Sequence, residues 1–260
     1  MDKVKVGVIG IGNMGKHHTR IYSELDDAEL VAVSDIDENL GNKAAKQYGC
    51  EYHKDYHDLL KDARIQAVSI AVPTRLHKQV ALDAIGHGKH LLLEKPIAET
   101  VEDGQEIINA AKQQGVKLFL GHIERFNPAV RKLKDVIDNG QLGKVTSIIA
   151  RRVGLPPSNI NHTNVLLDLA VHDIDIISYL LAIQPELIHA RSGNAVISST
   201  KDRAEIFLKH GDVSSFIQVN WITPIKIRNL AITGTKGYAE LDYLNQQLTL
   251  YTNNAPPSLM

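Results

Sequence analysis

Uninterrupted apolar runs separated by longer amphipathic stretches fill the first 120 or so residues. KVKVGVIG, AELVAVSD, QAVSIAV, KHLLLE and VKLFLG are rich in Val, Ile and Leu and carry no alternating polar face. Strands apolar on both faces are covered on both faces, and joined through helices they form a parallel sheet between helical layers. In one intervening segment, EDGQEIINAAKQQG, Ile107, Ile108 and Ala111 fall at helical spacing, and the run stops on Gly115. The pattern predicts an α/β domain with a doubly wound parallel sheet over residues 1–122.

Beyond Gly143 the texture changes. KVTSIIARRVG, ELIHARSGNAVI, AEIFLKH, VSSFIQVNWI, IRNLAITGT, GYAELDY and QLTLYT are strand-like runs joined by Gly, Asp and Asn turns. VLLDLAVHDIDIISYLLA is the one strong helical run among them. This predicts an α+β domain with a large, mainly antiparallel open sheet over residues 123–260, the boundary falling near residues 121–127. In SSFIQVNWI, Phe216, Gln218, Asn220 and Ile222 share one face while Ile217, Val219 and Trp221 share the other. Apolar groups on both faces predict that a second copy covers the outer one, giving a homodimer or homotetramer.

Composition narrows the class. The 260 residues carry a formal net charge of −1, which gives no electrostatic case for nucleic acid or an anionic membrane. The single cysteine, Cys50, excludes an intramolecular disulfide and fits a reducing compartment. No run approaches the length of a membrane span, so a soluble, cytoplasmic protein is expected.

The first strand feeds GIGNMG, in which Gly10, Gly12 and Gly15 match G-x-G-x-x-G and Asn13 and Met14 complete the turn. Preceded by a strand and followed by a helix, this is the Rossmann dinucleotide fingerprint. The first glycine serves the tight turn, the second the approach of a pyrophosphate, and the third the packing of helix on strand. The second strand ends in Asp35, placed to accept both hydroxyls of an adenosine ribose and to repel a 2′-phosphate. The expected cofactor is therefore NAD rather than NADP. Two further strands end in AVPTRLH and LLLEKP, which brings Pro73, Thr74, His77, Glu94 and Lys95 to the carboxyl edge where such sheets bind ligands.

Asp168 and His172 are four apart in LLDLAVHDID and on a helix share one face, with His172 suited to accept a proton near neutral pH. Asp173 and Asp175 fall on other faces, where solvated charge or contact with a neighbouring strand is expected. No metal-ligand spacing such as H-E-x-x-H occurs, so no metal site is expected.

The series GIGNMG, VSDID, AVPTRLH, EKP, ERFNP and LDLAVHDIDII, spread from Val4 to about Leu250, resembles the Gfo/Idh/MocA oxidoreductases. The resemblance implies that Lys95 touches the reacting hydroxyl and that Glu94 helps to place the nicotinamide ribose. It further implies that Asp168 orients the substrate hydroxyls beside a catalytic His172, with the active site in the cleft between domains. The reaction implied is oxidation of a secondary hydroxyl of a sugar or nucleotide sugar to a ketone.

GHIERFNPAV and RRVGLPP are similar to the UDP-N-acetylglucosamine 3-dehydrogenase-like branch, which makes Arg125 and Arg152 (or its neighbour Arg151) diphosphate ligands by expectation. Because neighbours on a strand point oppositely, at most one of Arg151 and Arg152 serves the site. His122, His162 and Asn164 are further candidate substrate contacts. The segment LPPSNINHTNVLL departs from that branch, and the chain ends short of the family's further strand and terminal helix, which leaves the second domain shortened or divergent. An NAD-binding sensor of the same fold and a dehydrogenase of a free polyol such as inositol stay open beside the main reading.

Overall fold

A computed structural model describes residues 3–156 and 163–252. The chain divides into two compact units on either side of Gly121 and His122.

Unit 1 alternates β1 (Val4–Ile9), α1 (Gly15–Glu24), β2 (Ala28–Ser34), α2 (Glu38–Tyr48), β3 (Glu51–His53), α3 (Tyr56–Lys61), β4 (Ala67–Ile70), α4 (His77–Gly86), β5 (His90–Leu93), α5 (Val101–Gln114) and β6 (Leu118–Leu120). The strands lie in the order β3-β2-β1-β4-β5-β6, all parallel. The five apolar runs become β1, β2, β4, β5 and β6. The sequence pattern did not announce β3, a three-residue edge strand without an apolar run of its own. α5 starts on Thr100, whose hydroxyl accepts the Asp103 N–H, and stops on Gly115 at φ 71°. Its Ile107 and Ala111 are buried with Val68, Ile70, Leu91 and Leu93 in the core against the sheet.

The strand ladder continues one residue past the strand ends. Gly10 N donates to Ser34 O, Ala71 N to Ile9 O, Glu94 N to Ile70 O and Gly121 N to Leu93 O, at 2.7 to 3.0 Å. Gly10, Ala71, Glu94 and Gly121 therefore stand side by side along the carboxyl edge. The strand order reverses between β1 and β4, and in open α/β sheets that is where a crevice for ligands forms.

Unit 2 holds α6 (Pro128–Asp138), β7 (Val145–Val153), α7 (Val171–Leu181), β8 (Leu187–Gly193), β9 (Arg203–His210), β10 (Val213–Asn220), β11 (Ile227–Gly234), β12 (Gly237–Asp242) and β13 (Gln247–Thr252). The order is β13-β12-β11-β7-β10-β9-β8, antiparallel except for β7 beside β10. Ile217, Val219, Trp221, Ile148, Ala150, Leu230 and Ile232 turn to the helical side and join Val130, Leu133, Ile176, Ile177 and Leu180 in one core. Ile149 (53% exposed) and Phe216 (42%) lie on the opposite face. α6 joins α7 as a second helix of this unit, begun by Asn127, which accepts from Ala129 N, and by Pro128 at its first turn. The run read as a single helix opens with a π-helical turn, Leu166–Ala170, before α7. Among the described residues no helix is long and apolar enough to cross a membrane.

Candidate active site

In the glycine turn of unit 1, Gly10 adopts φ +86°, and a Cβ there would meet the Ala71 carbonyl oxygen at 2.8 Å. A Cβ on Gly15 would lie 1.7 Å from the Gly10 carbonyl oxygen, so the third glycine lets α1 close onto the turn itself. At Gly12 a Cβ would meet nothing within 4 Å. Gly10 and Gly15 thus serve the fold, whereas Gly12 leaves open space in the turn that leads into α1, as the approach of a pyrophosphate requires. Asp35 accepts the Ile11 N–H at 2.6 Å and the Asp37 N–H at 2.8 Å, tying the glycine turn to the end of β2. The cap of α2 is Asp37, which accepts from Asn39 N and Leu40 N. Asn13 and Met14 lie in the turn, while Pro73 and Thr74 follow β4, Pro73 leading a short 3-10 turn, Thr74–Leu76. These residues fit a dinucleotide.

His77 departs from its expected role. Its side chain is 1% exposed, and its two ring nitrogens lie 2.8 Å from Pro96 O and 3.0 Å from Val72 O. Burial pushes its pKa below the ordinary histidine value despite those two carbonyls. His77 is therefore no direct cofactor ligand. It pins the segment after Lys95 to the segment after β4, because α4 begins at His77 and turns the ring inward.

Glu94 is also turned into the unit, only 6% exposed. One oxygen lies 2.9 Å from His18 Nε2, the other accepts the Lys95 N–H at 3.2 Å, and a Cβ at Gly121 would press on the carboxylate from 3.1 Å. His18 Nδ1 continues to Ser69 Oγ at 3.1 Å, and Ser69 to the Tyr22 hydroxyl at 2.9 Å. The sequence reading missed His18, Ser69 and Tyr22. A usable signal was present: His18 and Tyr22 are four apart on α1, the spacing of one helical face, and Ser69 interrupts the apolar run of β4.

In unit 2 Asp168 lies in the π-helical turn and His172 in the first turn of α7, both half-buried. Wider turns of this kind recur where a helix presents functional side chains. Asn164, expected to touch substrate, instead caps the turn, its side-chain oxygen accepting Leu166 N at 3.0 Å and Leu167 N at 3.1 Å. His162 lies outside the described residues. His122 is 3.6 Å from the Asp175 carboxylate.

The two arginines expected to bind a diphosphate are already engaged. Arg125 makes a two-pronged pair with Asp175, one arm at 2.8 Å, and lies over the Tyr179 ring. Arg152 is 1% exposed and grips Asp173 through Nε at 2.9 Å and Nη2 at 3.1 Å, Glu124 through Nη1 at 2.9 Å, and the Tyr243 ring from 4.8 Å. Burial opposes its charge, but the facing carboxylates more than offset this and raise its pKa. Asp173 is thus a buried partner of a neighbouring strand and not a solvated charge. Arg152, rather than Arg151, faces inward, as strand alternation requires, yet its donors serve the fold.

A cavity of about 380 Å³ is lined by Asp168, Leu169, Trp221 and the end of β7, with Lys226 and Arg228 from β11 and the loop before it. Neither of these cations figured in the sequence reading, because their place depends on the register of β11. Among the described residues no group of His, Cys, Asp and Glu is arranged to hold a metal ion.

Residues 4–122 match the oxidoreductase family with an NAD-binding Rossmann fold, and residues 130–240 match the Gfo/Idh/MocA C-terminal domain. The fold and the glycine turn define an NAD-binding oxidoreductase framework, and the chain belongs to the Gfo/Idh/MocA family. An uncharacterized oxidoreductase of Bacillus subtilis is 29% identical over 78% of this chain and 61% of its own length. The myo-inositol 2-dehydrogenase of Thermotoga maritima is 30% identical over 83% of this chain and 64% of its own. The chain therefore spans less than two thirds of either protein. The UDP-N-acetylglucosamine 3-dehydrogenase of Acidithiobacillus ferrooxidans is 29% identical over 98% of the chain and 79% of its own length. A solved structure of that enzyme matches with a TM-score of 0.88 at 27% identity, covering 97% of this chain and 81% of that one.

Proposed function

We propose that the chain oxidises a secondary hydroxyl of a sugar or nucleotide sugar to a ketone, with NAD as hydride acceptor. The observation that carries this reading is the line of Gly10, Ala71 and Glu94 along one sheet edge, which sets Lys95 on the same edge as the glycine turn, two strands away. NAD, when bound, supplies the two-electron chemistry at its nicotinamide ring. Lys95 holds the substrate oxygen and stabilises the negative charge that grows on it as the hydride leaves the carbinol carbon. His172 takes the hydroxyl proton, Asp168 orients neighbouring hydroxyls, and the His18–Glu94 pair and His77 fix the backbone on either side of Lys95.

The second unit serves in this reading as the substrate domain, and Ile149 and Phe216 on its outer face belong to a homo-oligomer contact. A cytoplasmic location accords with the single cysteine. The relative named as a myo-inositol 2-dehydrogenase favours a second reading, oxidation of a free polyol. Absorbance of NADH tests both on a panel of UDP-N-acetylglucosamine, other nucleotide sugars, inositol and free hexoses, with Lys95→Ala and His172→Ala alongside. Turnover of a panel member that both substitutions abolish is expected. Turnover that survives either one refutes the assignment.

A further inference from the structure

Arg228 and Arg152 stand directly opposite one another on β11 and β7. Like charges in that relation repel, and each normally needs an acid of its own. Arg152 has two, Asp173 and Glu124. Arg228 has none: among the described residues no carboxylate lies within 4 Å of its guanidinium, although it is half-buried. Burial, and after it the charge of Arg152, depress its pKa, and the more distant carboxylates of Glu124, Asp168 and Asp173 offset this only in part. Lys226, two residues earlier and exposed, likewise has no ion-paired acid, and both line the cavity that holds Asp168. An unpaired fork beside an ammonium matches the two phosphoryl oxygens of a phosphate ester or diphosphate, because a planar guanidinium donates two parallel hydrogen bonds and an ammonium adds a point charge.

We propose that Arg228 and Lys226 form an anion subsite in the Asp168 cavity, so that the substrate is a sugar carrying a phosphoryl group and not a neutral polyol. Asp168, on the helical side of the same cavity, meets the sugar hydroxyls, and the two cations on the strand side meet the phosphate. This deepens the proposed function and takes from it the role of Asp168. It also reassigns the diphosphate contact from Arg125 and Arg152, which are held by Asp175 and by Asp173 with Glu124, to a pair with no ion-paired acid. A nucleotide sugar and a simple sugar phosphate present the same oxygens, and the arms of the experiment separate them.

Calorimetric titration of the NADH-loaded protein with UDP, inorganic pyrophosphate and a hexose 1-phosphate reads the subsite without requiring turnover. Wild-type protein is expected to bind at least one of them, with affinity falling as salt is raised. Arg228→Gln is expected to weaken that binding about 10- to 100-fold and Lys226→Gln less, the range for losing one or two charge-assisted hydrogen bonds. Arg228→Lys, which keeps the charge and loses the fork, lies between. A thermal melt and NADH affinity unchanged in all three variants establish that they are folded. Preference for UDP over pyrophosphate and hexose 1-phosphate identifies a nucleotide sugar, and the reverse a sugar phosphate. Wild-type protein that binds none of the three, or Arg228→Gln binding as tightly as wild type, overturns the subsite. Binding without turnover of any sugar leaves the subsite standing and overturns the oxidoreductase reading alone.

Discussion

Asp173→Asn tests whether Arg152 is structural. The guanidinium is 1% exposed and Asp173 0% exposed, and two hydrogen bonds of 2.9 and 3.1 Å join them. Neutralising the acid leaves Arg152 with Glu124 alone, in a site from which water is excluded. Removing one partner of a buried ion pair costs about 3–5 kcal/mol, because the remaining charge stays desolvated. For a unit of this size 1 kcal/mol corresponds to about 3 °C in melting temperature, so the variant is expected to melt roughly 10–15 °C lower. Differential scanning calorimetry with NAD absent reads the shift directly. The double variant Arg152→Met with Asp173→Leu removes both charges and is expected to recover much of the loss, since apolar replacements of buried pairs are often neutral. An Asp173→Asn protein melting within about 2 °C of wild type, with its substrate KM raised instead, would refute the structural role and return Arg152 to the substrate.

Three other outcomes follow from the same geometry. Gly15→Ala drives a Cβ to 1.7 Å from Gly10 O and is expected to disrupt the turn and lower the melting temperature, whereas Gly12→Ala, with nothing within 4 Å, is expected to melt like wild type. Gly12→Ala should nevertheless bind NADH roughly 10- to 100-fold more weakly by fluorescence, and unaltered affinity would place the pyrophosphate elsewhere. His210 is 1% exposed, both its ring nitrogens lack hydrogen-bond partners, and burial lowers its pKa, so the unfolded chain binds the proton that the folded one refuses. Its stabilising contribution is present above the unfolded value of about 6.5 and is lost as pH falls through and below it, by at most about 1.4 kcal/mol per pH unit. Urea midpoints measured between pH 7.5 and 5 should fall less steeply in His210→Leu, and equal slopes would contradict this. His18→Ala leaves a buried carboxylate oxygen of Glu94 unsatisfied, a cost of about 1–3 kcal/mol. A lower kcat that His18→Gln restores marks His18 as a positioning residue, and a kcat untouched by His18→Ala removes it from that role.

The parallel strands, the glycine turn and the placement of Asp35 and Lys95 were legible in the chain itself. Apolar runs, glycine positions and helix stops are local signals, and a parallel sheet aligns its strand ends whatever the connecting helices contain. The seven strand runs of the second unit were equally visible, although the π-helical turn around Asp168 and the helix starting at Pro128 were not. Tertiary structure decided which charged groups are free. Arg125 and Arg152 read as phosphate ligands because a guanidinium fork matches phosphate oxygens. Their acids come from α7, and for Arg152 also from Glu124, 21 to 50 residues away. Arg228 was overlooked because its neighbour Arg152 lies across a strand pairing that no local pattern encodes. His77 and Glu94 were correctly placed at the sheet edge, but whether a side chain there faces a ligand or the interior is set by what packs beneath it. For Glu94 that is His18, 76 residues earlier in the chain. Local patterns determined the elements and their order, and long-range charge pairing, settled only on folding, determined which of the residues at their ends are left for a ligand.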